Sequence, residues 1–168
     1  MKTKTFLVTL LPLLTLMFTG CPYDSDYSIT DASAAIKEPT LQGYWVGESK
    51  GDSDEFGFLN IMSFNSNEFL AELTSINGAQ IQIEKFRTFP CTIGKNKFLN
   101  VQALDGKKKF GFYRYSLSGD TLIAEPVSDK FPGNKAMKSQ VELRVYIEKN
   151  MSDPKFYEDR MVFVRKKK

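Results

Sequence analysis

Two cysteines and one tight acidic cluster are the residues of this chain best equipped for chemistry, and histidine is missing altogether. Without histidine, the commonest catalytic base and the commonest metal ligand are gone. A cysteine nucleophile needs such a base beside it, so Cys91 is expected to be a small buried hydrophobe rather than a reactive thiol. Asp52, Asp54 and Glu55 stand close together in "GDSDEFG", but their spacing fits no calcium loop. A solvated acidic loop is the simpler expectation. No catalytic residue, metal or cofactor is therefore predicted, and the chain is expected not to be an enzyme. Cys21 is different, because it stands in "LMFTGCPYDSD", at the seam between an oily run and a polar one. Such a cysteine either pairs with Cys91 in the disulfide of a secreted protein or is modified where it stands.

The flanking elements bear on that choice. Met1-Lys2-Thr3-Lys4 makes a cationic start, and residues 6–18 are apolar apart from Thr9, Pro12 and Thr15. As a helix that run is roughly 20 Å long, against a hydrocarbon thickness of about 30 Å, so it is short for a membrane span. A charged start, a short apolar core and small residues at its end are the pattern of an export signal. A buried helix would instead carry Pro12 in its interior.

Phe18-Thr19-Gly20 before Cys21 resembles the lipobox of bacterial lipoproteins, with Gly20 and Cys21 at its two most diagnostic positions. Phe18 departs from the Leu, Val or Ile usual there. The resemblance implies that residues 1–20 are a signal peptide, removed so that Cys21 becomes the mature N-terminus. It also implies a diacylglyceryl group on the thiol and an acyl chain on the amine. One acyl chain holds a protein only marginally, whereas two or three hold it effectively permanently, so the implied partner is a membrane. Pro22 replaces the aspartate that retains lipoproteins at the inner membrane, which by resemblance favours the outer membrane. Asp24 and Asp26 resemble the acidic tags of surface-exposed lipoproteins.

Loss of Lys2 and Lys4 with the leader would bring the formal charge from +3 to +1. The remaining lysine tail at 166–168 reads as a solvated terminus, and no basic stripe with interleaved aromatics points to nucleic acid. Residues 21–40 are polar and small, without a sustained period, and read as a tether that lifts a domain off the bilayer. The competing expectation folds this segment onto the domain through Ile29 and Ile36. The remainder, 41–168, suits one domain.

From Leu41 onward, short apolar and aromatic runs recur between turn residues. "QGYWVGES" and "FGFLNIMSFN" come first, and Asn65-Ser66-Asn67 turns into "EFLAELTSI". Asn77-Gly78 is the strongest hairpin signal, because both central positions of a type I′ turn need positive φ. It leads to "AQIQIEKFRTF", where Ile81 and Ile83 alternate with polar residues as in a half-buried strand. "FLNVQAL", "KKFGFYRYSL" and "TLIAEPV" follow after further turns, and "RMVFVRKK" ends the chain. Between the last two, Met137, Val141 and Val145 fall at i, i+4 and i+8, with Leu143 and Ile147 as a second row. Ser139 and Glu142 stand in capping-box spacing. The predicted fold is all-β: an eight-stranded up-and-down antiparallel barrel with one helix inserted before the last strand. Closure would remove the exposed edges of so long a meander.

Gly43-Tyr44-Trp45 on the first strand and Arg165 on the last give the chain a resemblance to lipocalin-like lipoproteins and the wider lipocalin superfamily. In that family such a tryptophan closes one end of the barrel and an arginine packs over its ring. The resemblance covers residues 41–166 in pattern but only these positions in motif, and it implies that Gly43, Trp45 and Arg165 are structural. A barrel of this size has room for side chains or one small ligand. The fourteen phenylalanines suggest a small hydrophobic ligand in the lumen, with Phe58, Met62, Phe64, Phe110 and Phe112 as its candidate lining. The alternative is a non-enzymatic interaction module, either an inhibitor or an accessory subunit of an envelope complex, that presents the loops "SKGDSDEFG" and "SDKFPGNKAM".

Overall fold

The computed structural model describes residues 23–47, 56–106, 108–133 and 135–166. Cys21, the leader before it and the cluster of Asp52, Asp54 and Glu55 lie outside the described residues. In chain order the strands are β1 (Asp24–Ser25), β2 (Gly43–Gly47), β3 (Phe56–Ser63), β4 (Phe69–Asn77), β5 (Gln80–Ile93), β6 (Asn96–Ala103), β7 (Phe110–Ser118), β8 (Thr121–Pro126) and β9 (Met161–Arg165). One helix, α1 (Gln140–Asn150), precedes β9.

From β2 to β8 each strand pairs antiparallel with the next. Strand β9 then lies between β8 and β2 and closes the ring, so the expected eight-stranded barrel is the observed one. The β4–β5 hairpin forms, but its turn is shifted by one residue from the expected Asn77-Gly78. Asn77 is still paired with Gln80, and Gly78 and Ala79 make the turn, with Gly78 at φ 54°, a conformation that residues with a Cβ rarely adopt.

Every strand side chain points either into the barrel or out of it, and both directions are apolar over part of the surface. The inner cluster contains Leu41, Trp45, Ile61, Phe69, Ala71, Leu99, Tyr115, Leu122 and Phe163. A second buried cluster lies outside the barrel, on the outer face of β5, β6 and β7. There Cys91, Ile93, Phe98 and Phe112 are covered by Tyr23, Ile29, Leu143, Ile147 and Phe156. Helix α1 begins as its sequence predicts: the Ser139 hydroxyl accepts the Glu142 N–H at 3.1 Å, and the Glu142 carboxylate accepts the Lys138 N–H at 2.9 Å. Of its two apolar rows Leu143 and Ile147 are buried, while Val141 and Val145 face solvent and Met137, which precedes the helix, is buried in the outer cluster.

The segment expected to be a tether is laid along the barrel instead. Tyr23 and Ile29 are buried in the outer cluster, and β1 pairs with the start of β7, Asp24 opposite Gly111. Asn100, buried on the outer face of β6, accepts the Ile29 N–H at 2.7 Å and donates to the Phe89 carbonyl at 3.2 Å. Tyr23 donates its N–H to Val127 at 2.8 Å, and Ile36 donates to Pro90 at 3.0 Å. Two apolar anchors and a handful of backbone hydrogen bonds outweigh the polar composition of residues 23–40, because Asp24, Asp26 and Asp31 still face water and the buried Ser25 hydroxyl accepts the Tyr27 N–H at 3.1 Å.

Candidate functional site

The barrel has one plugged end. A 3-10 turn, Pro39–Leu41, folds beneath it and inserts Leu41, whose carbonyl accepts the Trp45 indole N–H at 3.0 Å. The Arg165 guanidinium lies 4.0 Å from the Trp45 ring centroid, a cation–π arrangement contributing about 0.5–2 kcal/mol. It also donates to the carbonyls of Thr40 and Gln42, and so ties the turn to the final strand. Gly43 has φ 144°, and a Cβ there would stand 2.5 Å from an Arg165 terminal nitrogen, so the glycine of the G-x-W triplet makes room for the arginine. Trp45 and Arg165 are direct cross-strand partners. The structure thus brings Gly43, Trp45 and Arg165 together at one end of the barrel.

The register that fixes Trp45 inside also corrects the predicted lining. Trp45 pairs with Leu59, which therefore points inward, and the period of two turns Phe58, Met62 and Phe64 outward. Phe58 stacks on the exposed Tyr44 at a centroid distance of 5.6 Å. Met62 is 44% exposed and Phe64 57%. Phe110 and Phe112 also point outward, beneath the N-terminal segment, where Phe112 contacts Tyr23. The five residues do not form one lining. Ile81 and Ile83 are likewise outward, which leaves Gln82 and Glu84 on the inner side.

The observed lining away from the plug comes from the other phase of the same strands. Leu59, Leu73, Phe86, Val101, Tyr113 and Met161 pack onto the inner cluster but keep part of their surface accessible. Glu84 joins them, because its cross-strand partner is the inward Leu73. Burial pushes the Tyr113 hydroxyl up to about 12, and the Glu84 carboxylate adds to the shift by disfavouring a second negative charge. Deeper in, Thr88 pairs with the inward Phe69 and Val101. The Thr88 and Tyr115 hydroxyls are buried with no hydrogen-bond partner among the described residues. Burial raises the Tyr115 hydroxyl as well, and the charges of Glu38 and Cys91 act in the same direction. An unpaired buried hydroxyl costs about 1–3 kcal/mol, so each is a group that gains from meeting a water or a ligand.

Cys91 is a free, buried thiol on the outer face, pushed up to about 11 by burial against the opposing hydrogen bond from Asn100 at 3.4 Å. It is far from an accessible thiolate. Sequence reasoning missed Leu73, Glu84, Phe86, Val101 and Tyr113. The signal available for them was Trp45 itself, since the barrel tryptophan sets the inward phase and a strand-by-strand count carries it round. No described helix is long and apolar enough to cross a membrane. Comparison with protein-family models, with curated proteins and with solved structures finds no match for the chain.

Proposed function

We propose that this chain is a lipid-anchored bacterial envelope protein, of the outer membrane, whose barrel holds a small hydrophobic molecule and performs no chemistry on it. The observation that carries the ligand is the accessible inward surface of Leu59, Leu73, Phe86, Val101 and Met161, which a fully packed barrel would have buried. The unpaired hydroxyls of Thr88 and Tyr115 and the carboxylate of Glu84 favour a ligand with an apolar body and at least one hydrogen-bonding group. The anchor rests on Thr19-Gly20-Cys21 after the apolar run and is independent of the lumen.

Two measurements test the two halves of this reading. Protein purified from membranes is extracted with organic solvent, and the extract is compared by mass spectrometry with that of a variant whose lumen is filled, Leu73→Phe with Val101→Phe. The expected result is an apolar species enriched in the native sample and lost in the variant. Equal extracts sink the ligand. The intact mass of the same protein is expected to begin at an acylated Cys21, and an unmodified Cys21 sinks the anchor.

A further inference from the structure

The way the N-terminal segment docks has a consequence for how an anchored barrel is oriented. A free tether of residues 21–40 would let the domain tumble above the bilayer, but the chain is already fixed at Tyr23. The Tyr23 N–H bonds Val127 at 2.8 Å, its hydroxyl bonds the Lys135 carbonyl at 3.0 Å, and Asp24 pairs with Gly111. Val127 follows the last residue of β8 and Gly111 is the second of β7, so both lie at the end of the barrel opposite the plug. Two residues reach at most about 7 Å. A lipid on Cys21 therefore brings this distal end to the headgroup layer.

The distal rim has the surface such a contact needs. Ile81 is 66% exposed, Ile83 56% and Leu104 51%, all on or next to the ends of β5 and β6. Leu104 donates its N–H to the Lys85 carbonyl at 2.9 Å, and Ile83, Lys85, Leu104 and Asp105 line one shallow depression. Lys108 and Lys109 follow before β7, and Lys109 is ion-paired with Asp24 at 3.0 Å, beside the anchor point. Exposed isoleucine and leucine flanked by lysines suit an interface of acyl chains and anionic headgroups. Met62 and Phe64 are exposed too, but they lie at the plugged end, beyond the reach of a two-residue link.

We infer that the distal rim, with Ile81, Ile83 and Leu104 at its contact point, rests on the bilayer surface. This rests on the proposed acylation of Cys21.

The test uses the full acylated protein carrying either Ile83→Cys or Phe64→Cys, each labelled with an environment-sensitive fluorophore. The proteins are reconstituted into phosphatidylethanolamine–phosphatidylglycerol vesicles with and without acyl-chain quenchers. The label at 83 is expected to be quenched at least about twofold more than the label at 64. Equal quenching, or stronger quenching at 64, overturns the orientation while leaving the anchor intact. The intact mass, measured on the same samples, separates the two failures: an unacylated Cys21 overturns the anchor and this orientation with it.

Discussion

The two halves of the barrel interior are built from the same alternating strands and finish differently. Toward the plug, Leu41, Trp45, Ile61, Phe69 and Leu122 are buried and Arg165 covers the tryptophan. Toward the distal end, Leu59, Leu73, Phe86, Val101 and Met161 keep accessible surface and share the space with Glu84 and Tyr113. Hydrophobicity does not separate the halves. The plug is made by a segment outside the barrel, Pro39–Leu41, that folds under one end and is held there by Arg165. Burial is complete where that segment lies, and the inward side chains away from it are only partly buried.

The largest effect is expected at the plug itself. Trp45→Ala removes a fully buried indole and the platform for Arg165, and it should cost about 3–5 kcal/mol in denaturant unfolding. Matched truncations sharpen the contrast. Leu122→Ala, at the plugged end, should cost about 2–4 kcal/mol, whereas Leu73→Ala, whose side chain is already partly accessible, should cost about 1 kcal/mol. Equal losses would mean that the two halves are packed alike.

A smaller effect is expected from pH. Tyr113 is raised in the folded protein to about 12 from an ordinary value of 10, chiefly by burial and then by Glu84. The raised value means that its contribution to stability is complete below about pH 10 and fades as pH climbs through about 12. Spectrophotometric titration of Tyr113→Phe should lose one late-ionising phenol, and its stability should fall less steeply over that window. Loss of a phenol that titrates near pH 10 would place Tyr113 in water and break the comparison from the distal side.

Much of the fold was legible in the sequence, because strand alternation, turn residues such as Asn65-Ser66-Asn67 and Gly78, and a capping box are local signals. The barrel and the helix before the last strand follow from them, whereas the contact of Arg165 with Trp45 was implied only by the resemblance to lipocalins. What was not legible is which face of each strand is inside. Residues 58–62 carry apolar side chains in both phases, Phe58 and Met62 in one and Leu59 and Ile61 in the other, so alternation alone gives two answers. Phe110 and Phe112 are apolar and outward because a helix and the N-terminal segment cover them, and that covering depends on contacts far apart in the chain. The same applies to α1, where Val141 and Leu143 head rival rows and tertiary packing selects the second. The docking of residues 23–40 had the weakest signal, since Asn100 holds Ile29 by its backbone and a backbone contact leaves no mark on composition.

The most direct test of the distal lumen is binding of an apolar naphthylamine probe, read by energy transfer from Trp45, the single tryptophan of the chain. The native protein should bind about one probe per barrel, and Leu73→Phe with Val101→Phe should weaken that binding at least about tenfold without loss of folding. Equal binding by the native and filled proteins, or no transfer from Trp45 in the native one, would contradict a ligand-holding lumen.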